Sequence, residues 1–127
     1  MKLLLDTQIA LWAWISPERI PKYVCDALLD RGNEVWFSQV STWEIQIKYG
    51  LNRLPMPDRP EKFLPAAIQK AGFLYAPIED GAIFFLDRLP NFHRDPYDRL
   101  LIAQAIYSHY HLVTVDSQVT QYPVLTI

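Results

Sequence analysis

The sequence predicts an α/β fold: a three-layer α/β/α sandwich around a mostly parallel sheet of roughly five strands. Three observations carry this expectation. Short apolar runs alternate with helical segments from one end of the chain to the other. The first run, Leu3-Leu4-Leu5, lacks the polar alternation of a half-exposed strand, as expected where both faces of a sheet are covered. The 127 residues are 50% hydrophobic and 20% charged with only 4 Gly, which suits one compact domain over residues 1–127 with its own core.

Lys2-Leu3-Leu4-Leu5 reads as a buried strand ending abruptly at Asp6. Thr7 is a candidate cap for a helix through Trp14, stopped by Ser16-Pro17. A second helix is expected from about Glu18 to Arg31, closed by Gly32. Glu34–Ser38 has strand composition, and Ser41-Thr42-Trp43-Glu44 opens a helix to about Leu51. Pro55, Pro57 and Pro60 mark a loop before a helix that closes at Gly72. Phe73–Ala76 is the third expected strand, and Glu79–Leu89 is helical by pattern. Asp95-Pro96 starts a helix to about His109, with proline at the favoured first position. Leu112–Val115 is a β-branched strand, and Val124–Thr126 is a last short one.

Twelve basic residues against 14 acidic ones give a net charge of −2 and a pI near 5.8. That balance excludes a general electrostatic nucleic-acid clamp, which usually shows a far more basic domain. The single cysteine, Cys25, excludes an intramolecular disulfide and a multi-cysteine zinc site, and on its helix it reads as a small apolar residue. No signal peptide and no apolar run of membrane-spanning length is visible, so a soluble, cytoplasmic protein is expected.

The placement of the acids is more informative than their number. Asp6 and Asp116 each follow a strand, the edge at which open parallel sheets bind ligands. Glu44 and Asp98 sit in first turns of helices, above Ile47 and Leu51 and above Leu101, Ile102 and Ala105 respectively. Each therefore tops an apolar stripe, and a carboxylate at a core boundary needs a partner. Ordinary roles are also open. Ser41-x-x-Glu44 matches a capping box, Asp95 an N-cap, Asp98 an acid favoured by the helix dipole, Asp6 a helix cap and Asp116-Ser117 a turn. Asp6 and Asp116 have no Lys or Arg in the three residues that follow them, whereas Asp98 has Arg94 and Arg99 nearby.

Carboxylates with no Cys or His among them suit a hard cation, Mg²⁺ or Mn²⁺. Such ions activate water and stabilise charge on a phosphodiester, singly or as a pair about 4 Å apart. His93, His109 and His111 offer no metal-binding spacing, and no glycine-rich phosphate loop exists.

Four blocks then stand in order: Leu3-Leu4-Leu5-Asp6-Thr7; Ser41-x-Trp43-Glu44-Ile45-x-Ile47-Lys48; His93-Arg94-Asp95-Pro96-Tyr97-Asp98-Arg99-Leu100-Leu101 through Ala105; and Thr114-Val115-Asp116. Together they resemble the blocks of PIN-domain proteins, in particular the VapC-type ribonuclease toxins of toxin–antitoxin pairs. The resemblance runs from residue 3 to about 116, and the His-Arg-Asp-Pro-Tyr-Asp-Arg-Leu-Leu block is its most specific part. It implies a parallel sheet flanked by helices with an acidic pocket at the strand ends. Asp6, Glu44, Asp98 and Asp116 match the family's metal-binding acids, with Asp95 as an auxiliary acid and Thr7, Ser41 and Thr114 as supporting hydroxyls. It further implies Mg²⁺- or Mn²⁺-dependent endonucleolytic cleavage of RNA, a small antitoxin partner and a homodimer. Gln8 stands where this subgroup often has His, which leaves the acids intact but alters the pocket edge.

Lys48, Arg53, Arg94 and Arg99 are the candidate phosphate contacts. Trp12, Trp14 and Trp43 fall beside the acids in sequence, which suits a groove for a partner helix or a stacking surface for unpaired bases as well as plain core packing. Two rival readings remain. One is Mg²⁺-dependent phosphohydrolase or phosphotransferase chemistry through an aspartyl-phosphate at Asp6, although Gln8 occupies the place where that chemistry wants a second Asp. The other is a catalytically silent PIN-like binding module. With the four acids set aside, the balance becomes 12 basic residues against 10 acidic ones, so the acidity resides in the proposed site. Any RNA affinity is then expected to be modest and metal-dependent.

Overall fold

A computed structural model describes all residues, 1–127. Four strands form one sheet: β1 (Lys2–Leu5), β2 (Glu34–Ser38), β3 (Leu74–Ala76) and β4 (His111–Val113). Their order is β3-β2-β1-β4 and every pairing is parallel, with Leu4 opposite both Trp36 and Leu112. The expected fifth strand is reduced to a single parallel bridge between Leu112 and Thr126. Helices α1 (Thr7–Ile15), α2 (Lys22–Leu29), α3 (Gln39–Gly50), α4 (Pro60–Ala71), α5 (Asp80–Phe84) and α6 (Pro96–Tyr107) cover the sheet.

The apolar runs of the sequence explain the layering. Successive strand residues point to opposite faces, so Leu3 and Leu5 enter one core with Ile9, Phe37, Ile45 and Val113. Leu4 enters the other, with Val40, Leu101, Ile102 and Leu112. Leu3, Leu4 and Leu5 are all fully buried, as the unbroken apolar run requires.

Several boundaries differ from the sequence reading, each for a local reason. The second helix divides into a 3₁₀ turn at Pro17–Arg19 and α2, because Pro21 interrupts the segment; α2 ends at Leu29, before Gly32. The segment after Glu79 is α5 followed by a 3₁₀ turn at Phe85–Arg88. Gly72 does close α4, at φ 74°, where a side chain would be strained. Cys25 is exposed on α2 rather than packed.

The cap of α3 matters most. The Ser38 side chain accepts from the Val40 N–H, so the helix begins at Gln39, two residues before Ser41, and the expected capping box is not formed. Ser41 and Glu44 thereby become interior helix positions whose side chains are free for other contacts. The buried face of α3 is Val40, Ser41, Glu44 and Ile45. Ile47 and Leu51, expected beneath Glu44, are instead 41% and 57% exposed.

Gln104 on α6 ties the helix to the strand ends from within the core. Its Oε1 accepts from the Ser38 hydroxyl, and its Nε2 donates to the carbonyls of Ala76 and Pro77 at 3.3 and 3.1 Å. Gln104→Leu would leave these buried groups without partners, at a cost of about 1–3 kcal/mol. Urea unfolding checks this: the midpoint should fall while the m-value stays unchanged.

Candidate active site

The strand order sets where a site can form. From β1 the chain steps outward to β2 and β3, then crosses to the other side of β1 for β4. The reversal leaves a crevice beyond the carboxyl ends of β1 and β4, where open α/β sheets bind ligands. Asp6 and Asp116 follow those two strands. Glu44 enters the crevice from α3, and Asp98 from the first turn of α6. A cleft of about 430 Å³ there is lined by Asp6, Thr7, Gln8, Glu44, Lys48, Arg53, Asp95, Asp98 and Asp116, among others.

Each acid is held in place by identifiable bonds. Asp6 caps α1, its Oδ1 accepting from the Gln8 N–H at 2.8 Å and its Oδ2 from the Thr114 hydroxyl at 2.8 Å. The helix is thus capped by Asp6 rather than Thr7, whose hydroxyl pairs with that of Ser41 at 2.7 Å and joins α1 to α3. Thr114 also accepts from the Asp116 N–H, and Asp116 Oδ1 accepts from the Gln118 N–H. One hydroxyl therefore sets the positions of two carboxylates. Asp95 caps α6, accepting from the N–H groups of Tyr97 and Asp98. The capping roles open to Asp6 and Asp95 are thus realised, and in Asp6 the cap is what aims the carboxylate.

The charges are crowded. Burial pushes the Asp98 carboxyl up to about 7, and the charges of Asp95, Asp6 and Glu44 add to the effect against a lowering by His93. Burial likewise raises Asp6, which Glu44 and Asp116 reinforce and the bonds from Gln8 and Thr114 oppose. Glu44 is 6% exposed; its Oε2 pairs with Lys48 at 2.5 Å, while its Oε1 is buried with no partner. Burial alone would lower the Lys48 ammonium, but the hydrogen bond and charge of Glu44, then the charges of Asp95 and Asp98, raise it.

The donor set is four carboxylates with no thiol, one carries an orphaned buried oxygen, and their mutual repulsion lacks enough cations to offset it. These features fit a divalent hard cation held through oxygen.

Of the candidate phosphate contacts, Lys48 and Arg53 line the cleft. Arg94 is exposed outside its lining. Arg99 lies elsewhere, its guanidinium donating to the carbonyls of Pro90 and Leu86 and to the Tyr122 hydroxyl. Trp14 is not at the cleft but among Phe37, Phe63 and Phe73, beside a larger apolar groove of about 620 Å³ along α4. Trp43 stacks edge-on against Tyr97.

Sequence spacing missed His93. Its Nε2 is hydrogen-bonded to Asp116 Oδ2 at 3.3 Å and lies 3.0 Å from Asp98 Oδ2. The sequence signals are its place at the head of the most specific block and its position two residues before the Asp95 cap.

A PIN-domain family model matches residues 3–125. Among solved structures, a chain of the VapBC2 complex of Rickettsia felis, bound there to promoter DNA, has a TM-score of 0.75 at 19% identity, over 100% of this chain and 98% of that one. VapBC-1 of nontypeable Haemophilus influenzae gives 0.68 at 14%, covering 100% and 97%. FitAcB of Neisseria gonorrhoeae gives 0.63 at 16%, covering 98% and 96%. No curated protein matches significantly.

The raised Asp98 carboxyl makes stability depend on pH. An unfolded chain releases this proton near 3.8, whereas the folded protein keeps it to about 7, so folding stability falls as pH rises between those values. Without metal, Asp98→Asn should therefore melt on the order of 5 °C above wild type at pH 8, with the gap closing towards pH 4. Millimolar Mg²⁺ at pH 8 should raise the wild-type Tm more than that of the variant. A gap that does not change with pH would contradict the crowding.

Proposed function

This chain belongs to the PIN-domain family, and from that premise we propose that it is a Mg²⁺- or Mn²⁺-dependent endoribonuclease of the VapC type. The observation that carries the reading is the set of carboxylates Asp6, Glu44, Asp98 and Asp116 converging on one cleft at the reversal of strand order. These four would hold the metal, with Asp95 fixing the start of α6 and Thr7, Ser41 and Thr114 fixing the positions of the acids. When bound, the cation supplies a Lewis acid that lowers the pKa of a water and offsets charge on the phosphodiester.

The chain's own groups do the rest. Asp6 is locked by two hydrogen bonds, so it reaches the transition state without reorienting. Glu44 contributes a buried carboxylate oxygen with no protein partner, an unmet acceptor that a bound cation would satisfy. Lys48 and Arg53 bring positive charge to the cleft wall, where a phosphate chain would lie. Gln8 lines the same wall and can bond a sugar or a base edge.

We read the partner of this protein as a small antitoxin, by analogy with the two-component complexes named VapBC and FitAcB. The apolar groove at Trp14, Phe63 and Ala67 suits one helix of such a partner. A homodimer and a cytoplasmic location belong to the same reading; no helix is long and apolar enough to cross a membrane.

The test incubates the purified protein, freed of any partner, with an RNA pool and Mg²⁺ or Mn²⁺. Cleavage should stop with EDTA and fall at least about 100-fold in Asp6→Asn, beyond the usual effect of losing an outer-shell partner. Cleavage that persists in either case would overturn the mechanism. Phosphatase activity without RNA cleavage would favour an aspartyl-phosphate enzyme instead.

A further inference from the structure

His93 lies among the acids, and its two ring nitrogens are unequally committed. Nδ1 accepts a hydrogen bond from the Asp95 backbone N–H at 3.1 Å. An acceptor nitrogen carries no hydrogen, so in the neutral ring the hydrogen resides on Nε2. Nε2 is the nitrogen facing Asp116 Oδ2 at 3.3 Å and Asp98 Oδ2 at 3.0 Å.

By distance alone, His93, Asp98 and Asp116 form a possible metal-binding trio, with one ligand atom from each lying within 4.8 Å of the others. The Asp95 bond argues against that role. A nitrogen bearing hydrogen has no lone pair for a metal, and moving the hydrogen to Nδ1 would set it against the Asp95 N–H.

We propose that His93 is a positioning residue for the metal centre: its Nε2–H bonds Asp116 and lies 3.0 Å from Asp98 Oδ2, holding the two carboxylates side by side, and is not itself a ligand. This rests on the metal-dependent reading above. Ligating carboxylates are ordinarily hydrogen-bonded in turn by outer groups that orient them. Here the two acids come from different elements, α6 and the segment after β4, and no other side chain bridges them.

The loop is built to hold the ring still. The backbone N–H of His93 donates to the Tyr122 hydroxyl at 2.7 Å, and that of Phe92 to the same oxygen at 3.1 Å. Arg99 also donates to this hydroxyl and clamps the Pro90 carbonyl at 2.9 Å. The imidazole is thus oriented through its backbone, through Nδ1 and through Nε2.

Two measurements test this. Calorimetric titration with Mn²⁺ compares wild type, His93→Ala and His93→Gln, each first checked for folding by circular dichroism. Affinity should fall about 10–100-fold in His93→Ala, and His93→Gln, which keeps an N–H donor at similar reach, should regain much of it. Equal affinity of wild type and His93→Ala overturns the role of His93 alone. No binding by wild type overturns the metal centre and this assignment with it.

The second measurement needs no variant. In ¹⁵N-labelled wild type, long-range proton–nitrogen spectra should show the hydrogen on Nε2 both before and after Mg²⁺ is added. Its loss from Nε2 on adding Mg²⁺ would make His93 a ligand and overturn the proposal.

Discussion

Like charges pressed together out of water set the terms for this molecule. Asp6, Glu44, Asp98 and Asp116 share a half-buried crevice, where burial first, and then neighbouring carboxylate charges, push Asp6 and Asp98 upward. Crowded, partly buried carboxylates are costly to hold without a compensating positive charge. Lys48 offsets only part of the charge, pairing with one oxygen of Glu44 and leaving the other bare. The sheet order, the helix caps and the hydroxyl bridges serve to hold these groups together despite the repulsion.

The scaffold achieves this through short polar links between elements distant in sequence. Thr114 fixes Asp6 across 108 positions, and the Thr7–Ser41 pair joins α1 to α3. Gln104 fastens α6 to the ends of β2 and β3, and Asp98 projects from the first turn of that helix. Helix capping and site building are one operation here. The bond that starts α1 is the bond that aims Asp6, and the cap of α6 lies against the ring that faces Asp98.

Much of this was legible in the sequence because it depends on local patterns. The unbroken Leu3–Leu5 run announces a strand covered on both faces, and the alternation of strand and helix sets the fold class. Acids just past strand ends mark the binding edge. The cap of α3 was not legible, because Ser38 and Ser41 are equally good local candidates and only the buried Ser38–Gln104 bond selects between them. That choice puts Glu44 in the cleft rather than in a capping box. It also turns Ile47 and Leu51 outward, so the stripe expected beneath Glu44 is absent. The role of His93 escaped the same way, and Arg99 was read as a phosphate contact, because their partners lie on segments brought near only by folding.

What distinguishes a cation site from a mere set of helix caps is whether the acids gather a metal ion. Anomalous diffraction from crystals grown with Mn²⁺ tests it most directly. A strong peak coordinated by Asp6 and by other members of the set Glu44, Asp98 and Asp116, with His93 outside the coordination sphere, is the expected result. No peak in the cleft at millimolar Mn²⁺, with the acids keeping their bonds to protein groups, would contradict it.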